Sequence, residues 1–178
     1  MNDFERDLAQ SKVYSASPMW EKMLRGHFVY FKSTATFPDD GPHQRAGIDR
    51  VVTMTNAETV FIDEKVREVS YRDIALEFVS NTKTGSPGWV CKPMRADFIA
   101  YVIRPRGVGY LLPVHALQCA WSRHGDEWRA RYGEHEAKNN GYQTRFCPVP
   151  VKTLFRAMGQ TLRFTFDPTD LEDDPIPF

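Results

Sequence analysis

Apolar positions along this chain fall mainly into short alternating runs separated by clusters of Gly, Pro, Asn and Asp, the pattern of strands joined by turns. SASPMWEKMLR departs from it: a serine ahead of a proline gives two helix-start signals and predicts a short helix over residues 18–25. HFVYFKSTATF, rich in aromatic and β-branched residues, predicts a strand, and PDDGPHQRAG predicts a loop. IDRVVTM and TVFIDEKVR are two further strands, and the tight TNAE turn between them predicts a hairpin. DIALEFVS reads as a strand running into the turn formers NTKTGSPG. WVCKPMRA predicts a short helix, DFIAYVIR a strand, and VGYLLPV its partner in the sheet.

Toward the carboxyl end, HALQCAWSRHGDEWRARY places Leu117, Trp121 and Trp128 near one side of a helix weakened at Gly125. EHEAKNNG reads as a loop, YQTRFCPVP as extended chain and VKTLFRAMGQ as a short amphipathic helix. The order of these elements predicts an α/β or α+β fold, one domain over residues 1–166 built on a single central mixed β-sheet flanked by helices. With 178 residues, 42% of them hydrophobic, the chain is long enough for one buried core and too short for a second full domain.

Charge changes this picture only when its distribution is considered. Lys and Arg total 23 and Asp and Glu total 23, a balance that by itself disfavours a nucleic-acid partner. Five of the acids (Asp167, Asp170, Glu172, Asp173, Asp174) lie in the tail, residues 167–178, which has no Lys or Arg. The remaining 166 residues therefore hold 23 basic against 18 acidic side chains, a net of +5, and the acidic tail can shield that body or simply be solvated. Three cysteines without a CxxC pair indicate neither a disulfide framework nor a zinc ribbon, and His115 with Cys119, one helical turn apart, reads as packing. The charged start MNDFERDLAQ and the lack of a membrane-length apolar run lead to the expectation of a cytoplasmic protein without a membrane partner.

The chemistry lies in the strands. TVFIDEKVR sets Asp63, Glu64 and Lys65 into an otherwise apolar run, and DIALEFVS does the same with Glu77. Buried carboxylates are costly unless paired or coordinating. Alternation puts Asp63 and Lys65 on one face of their strand and Glu64 on the other, while Asp49 opens the neighbouring strand of the hairpin. Two carboxylates and a lysine at one sheet edge suit a hard cation, Mg²⁺ or Mn²⁺, and phosphodiester hydrolysis. The plainer alternatives are an edge-strand charge cluster, a turn role for Asp49, and pairing of Glu77 with Arg72 or Lys83.

With GIDRVV followed by DEK, a Gly-rich loop in GSPGWVCKP and a strand opening with Ala-Asp in ADFIAYV, the chain resembles the PD-(D/E)XK nuclease superfamily, in its phage-type members, from roughly residue 19 to residue 112. The resemblance implies a restriction-endonuclease-like fold and Mg²⁺-dependent (or Mn²⁺-dependent) endonuclease activity on DNA. It implies Asp49 and Asp63 as metal ligands, the Glu64 carbonyl as a backbone ligand, Lys65 as the catalytic lysine, and Glu77 as a helper from the adjacent strand. Glu21 matches an additional acid of some members. Two departures from the family pattern stand out: Ile48 where proline is usual before Asp49, and Asp63 where Glu is commoner. Host cytoplasm, if phage-encoded, and a homodimer belong to the same expectation. Trp89, Lys92, Arg95, Arg104 and Arg106 form a basic run with one aromatic, suited to phosphate contact and base stacking, and Arg123, Arg129 and Arg131 are candidates to line a groove. The alternative function is a catalytically inactive member of the same fold acting as a nucleic-acid- or protein-binding module, and a structural or assembly protein is the third class.

Overall fold

Strand pairing divides the chain into two sheets where the sequence pattern suggests one. The computed structural model describes residues 13–37, 42–139 and 141–161, so the acidic tail lies outside the described residues. In chain order the elements are helix α1 (Pro18–His27), strand β1 (Phe31–Thr36), the single turn α2 (Pro42–Arg45), β2 (Arg50–Met54), β3 (Thr59–Arg67), β4 (Asp73–Asn81), β5 (Ser86–Pro87), β6 (Phe98–Ile103), a 3₁₀ turn (Arg104–Arg106) and β7 (Val108–Pro113). Then follow α3 (Val114–Tyr132), β8 (His135–Asn139), β9 (Tyr142–Pro150) and α4 (Val151–Thr161). The first sheet is mixed, in the order β1-β2-β3-β6-β7, with β3 and β6 parallel and the other pairs antiparallel. The second, β5-β4-β9-β8, is antiparallel throughout. The architecture is α/β, with a mixed sheet as its centre.

Local chemistry explains most boundaries. Ser17 caps α1, its hydroxyl accepting from the Met19 amide at 3.4 Å, with Pro18 in the first turn. β2 and β3 form the expected hairpin, Arg50 opposite Ile62 and Thr53 opposite Thr59, closed by a turn in which Ala57 takes a positive φ of 67°. Asp97 ties the starts of β3 and β6 together: its carboxylate accepts from the Phe61 amide at 2.7 Å and its own amide donates to the Phe61 carbonyl at 2.8 Å. α3 runs unbroken through Gly125, which is buried against the Trp121 ring and gives that ring its room.

Three expectations are corrected. Residues 89–96 form turns instead of a helix: Pro93 interrupts the run, and the Gln118 amide donates to the carbonyls of Trp89 and Lys92 at 3.1 and 2.8 Å. EHEAKNNG is not a loop, since His135–Asn139 is an edge strand paired with β9. Finally, β4 does not neighbour β3; it opens the second sheet and pairs with β9, some seventy residues on.

Two cores result. On one face of the mixed sheet, α1 lays Trp20 and Leu24 over Val52, Ile62, Ala100 and Val102. On the other face, Ile99, Tyr101, Ile103 and Leu112 meet Ile74, Leu76, Cys147 and Val149 of the second sheet and Leu117, Trp128 and Leu154 of α3 and α4. Gly88 closes the second sheet against β4, because a Cβ there would collide with the Glu77 carbonyl. Gly88→Ala is expected to destabilise the fold by about 1–3 kcal/mol, the cost of forcing atoms into a packed site, read as a lower denaturant midpoint.

Candidate functional site

β2 and β3 stop pairing at different points, and the site lies at the step between them. The ladder ends with the Asp49 amide donating to the Ile62 carbonyl at 2.9 Å, just before β2 begins at Arg50. β3 continues, and its next donor on that edge, the Glu64 amide, is taken by the Asp49 carboxylate at 2.7 Å. A residue in a strand sends its N–H and C=O out on the same edge, so the Glu64 carbonyl also leaves β3 beside Asp49. Gly47, buried with φ of 72°, and the Ile48 amide bonded to the His43 carbonyl shape the turn that delivers Asp49.

Asp63 and Lys65 share the face of β3 turned toward the second sheet. Lys65 Nζ lies 2.6 Å from Asp63 Oδ2 and 3.3 Å from the Glu64 carbonyl. Asp63 is 4% exposed, and apart from that ion pair its Oδ2 makes no hydrogen bond to the described residues. The Asp49 carboxyl is near enough for its charge to act on Asp63. Burial pushes the Asp63 carboxyl above its ordinary range, Lys65 pulls it back, and the neighbouring Asp49 adds to the rise. For Lys65 burial acts against the charge, but Asp63 and Asp49 together outweigh it and raise the pKa. That direction favours the charged ammonium of Lys65. Glu77 is raised by burial as well, opposed by Lys65 and Lys92, which brings β4 to the site despite its place in the other sheet.

The donors that meet are all oxygen, the Asp49 and Asp63 carboxylates and the Glu64 main-chain carbonyl, with Glu77 adding its charge to the field at Lys65. Among the described residues no three His, Cys, Asp or Glu side chains gather as a metal-holding group. Mg²⁺ asks for less: it keeps most of its waters and rests on one or two carboxylates with substrate phosphate. A buried carboxylate held by Lys65, beside a second carboxylate, fits that demand.

Other expected residues fall elsewhere. The Glu64 side chain points to the α1 face, where Arg50 Nε and the Ser15 hydroxyl (2.7 Å) hold it, so only its carbonyl remains a candidate ligand. Glu21 is exposed on α1, on that opposite face, in an ion pair with Arg25 at 2.7 Å. Trp89 is 4% exposed within the core and cannot stack on a base. Lys92 and Arg95 flank the site, Lys92 through Glu77 and Arg95 through its amide on the Ala46 carbonyl. Arg104 pairs with Glu68 at 3.0 Å beyond the far end of β6, and Arg106 is exposed in the adjacent 3₁₀ turn. Glu77 has no ion pair with Arg72 or Lys83. His115 Nε2 and Cys119 Sγ are 3.6 Å apart, a packed pair.

Sequence reasoning missed Arg50. It is 5% exposed, bonded to Glu64 and to the Ser15 carbonyl at 2.6 Å, with its guanidinium 6.0 Å from the Trp20 ring. A signal existed: Arg50 shares the inward face of β2 with Val52 and Met54, and Glu64 shares that of β3 with Ile62. Two opposite charges on facing inward positions require each other. No protein-family model, curated protein or solved structure matches this chain, and no helix among the described residues is long and apolar enough to cross a membrane.

Proposed function

We propose that this chain is a Mg²⁺- or Mn²⁺-dependent phosphodiesterase of the PD-(D/E)XK type, with a restriction-endonuclease-like fold, acting on DNA. The observation that carries the reading is the meeting of Asp49, Asp63 and Lys65 at the step between β2 and β3, with the Asp63 carboxylate buried and ion-paired to Lys65. Burying a carboxylate in this way costs stability, and a cation on it would offset that cost. Asp49, Asp63 and the Glu64 carbonyl would hold the ion. When bound, it supplies positive charge against a phosphodiester and makes water more acidic.

The chain's own residues do the rest. Lys65, held protonated by its carboxylate neighbours, places a fixed positive charge where negative charge grows on the phosphoryl oxygens as water attacks in line and the opposite ester bond breaks. Glu77, with its carboxyl raised above the ordinary range and in the field of Lys65, is a further group that could exchange a proton at the site. Supercoiled DNA incubated with the protein and Mn²⁺ is expected to be nicked. Retained DNA binding without any cutting would turn the reading to the catalytically inactive module.

A pH dependence follows with a definite sign. Asp63 and Glu77 have folded-state pKa values raised above their unfolded ones, so the folded chain holds these protons more tightly and metal must displace them. The rise in melting temperature caused by Mn²⁺ is therefore expected to be largest near about pH 8. It should shrink as pH falls into the raised carboxyl range, which lies above the ordinary Asp value. Melting curves with and without Mn²⁺ across that range test this; an increment that grows as pH falls would sink it.

A further inference from the structure

Between α3 and α4 runs a groove of about 320 Å³ lined by His124, Glu127, Arg131, Lys152, Arg156 and Gln160. Lys152, Arg156 and Gln160 are four residues apart in succession on α4, and His124, Glu127 and Arg131 are three and then four apart on α3, so each helix presents a row about 10–12 Å long to the groove. The charges within it do not balance. Glu127 is the single acid, and His124 Nδ1 already lies 3.5 Å from it. Arg129, the neighbouring arginine of α3, is satisfied by Asp126 and by Glu134 and covers the Phe78 ring. Arg131, Lys152 and Arg156, in contrast, have no ion pair or side-chain hydrogen bond among the described residues; Arg131 only lies over the Tyr132 ring.

Three exposed cations held on two packed helices, facing a single carboxylate, Glu127, that already has His124 beside it, match a row of anionic oxygens. Guanidinium forks favour phosphate geometry in particular. We infer that the α3–α4 groove binds the phosphodiester backbone of a nucleic acid through Arg131, Lys152 and Arg156. The inference rests on the nucleic-acid reading of the metal site for the identity of the polyanion, but not on any cutting. The groove contacts backbone only, so it adds affinity without sequence preference and its strength falls with salt.

The test is binding in EDTA, away from metal and cleavage. A short fluorescein-labelled single strand and the same sequence as a duplex are titrated with the full-length protein between about 50 and about 200 mM salt. The variant Arg131→Gln/Lys152→Gln/Arg156→Gln should bind at least about tenfold more weakly at the low end, with the slope of log affinity against log salt reduced by about two to three. All three side chains are exposed, so the fold should survive, as a melting curve verifies. The control Lys32→Gln/Lys83→Gln/Lys138→Gln removes the same charge from exposed positions elsewhere and should stay within about twofold of the parent. Whichever of the two DNA forms responds identifies the backbone the groove accepts. The proposal is overturned if the groove variant keeps affinity and slope, if the control loses as much, or if the parent binds neither DNA. It is overturned in favour of an acidic protein partner if polyglutamate, and not DNA, binds through these three residues. Because the nuclease reading is judged by metal-dependent nicking, either can fail without the other.

Discussion

Replacing Asp63 by alanine is expected to lower metal-dependent nicking of DNA by at least about 100-fold, the scale lost with one electrostatic group of an active site. The same substitution should leave the melting temperature without added metal unchanged or higher. Both halves follow from one geometry: the Asp63 carboxylate is buried at a cost that its Lys65 ion pair does not fully offset, and it is kept beside a second carboxylate. Its removal deletes a desolvation cost from the fold. Lys65, left with less counter-charge, is one-third exposed and can turn its ammonium to water. Lys65→Ala should also reduce nicking, by about 10²–10³-fold, but should keep the stabilisation by Mn²⁺, because the carboxylates remain. Plasmid nicking and melting curves on the purified variants separate the two. An Asp63→Ala protein that cuts as well as the parent, or that unfolds, would contradict the assignment.

The charged pair on the other face of β3 behaves in the opposite way. Glu64→Ala, or Arg50→Ala, is expected to destabilise the protein by about 3–5 kcal/mol, since removing one partner strands a buried charge. In a chain of this size that lowers the melting temperature by on the order of 10 °C. Arg50 and Glu64 side chains are 6% and 5% exposed, and Ser15, Thr34 and Trp20 surround the guanidinium, so neither charge has water to turn to. Replacing both by apolar residues of similar volume should recover most of the loss. A Glu64→Ala protein melting within a degree or two of the parent would show that the pair is solvated instead.

Alternating acids are thus readable in sequence, but their division of labour is not. The β2–β3 hairpin, α1, α3, α4 and the pairing of β6 with β7 were legible because each has a local signal: a cap, a tight turn, or an apolar period. The β4–β9 pairing was not, because it joins segments far apart in sequence and nothing in DIALEFVS distinguishes a partner in one sheet from a partner in another. β8 was missed because every residue of HEAKN is exposed and shows no alternation. Trp89 sits in a basic run that resembles a stacking surface, yet the turn around it, its carbonyl held by Gln118 of a helix nearly thirty residues later, leaves the ring in the core. Of the site itself, Asp49, Asp63 and Lys65 could be placed together from strand alternation and one hairpin. The approach of Glu77 from the second sheet needed the tertiary fold.

The most direct measurement is a Mn²⁺ titration followed by the paramagnetic resonance of the free ion, on the parent and on Asp49→Asn and Asp63→Asn, whose side chains keep their size and lose their charge. Expected is about one ion bound per parent chain, as two carboxylates and a main-chain oxygen at one site would give, and its loss in both variants while their melting curves stay intact. A parent that binds no Mn²⁺, or variants that bind it as well as the parent, would contradict the metal site on which the proposed chemistry depends.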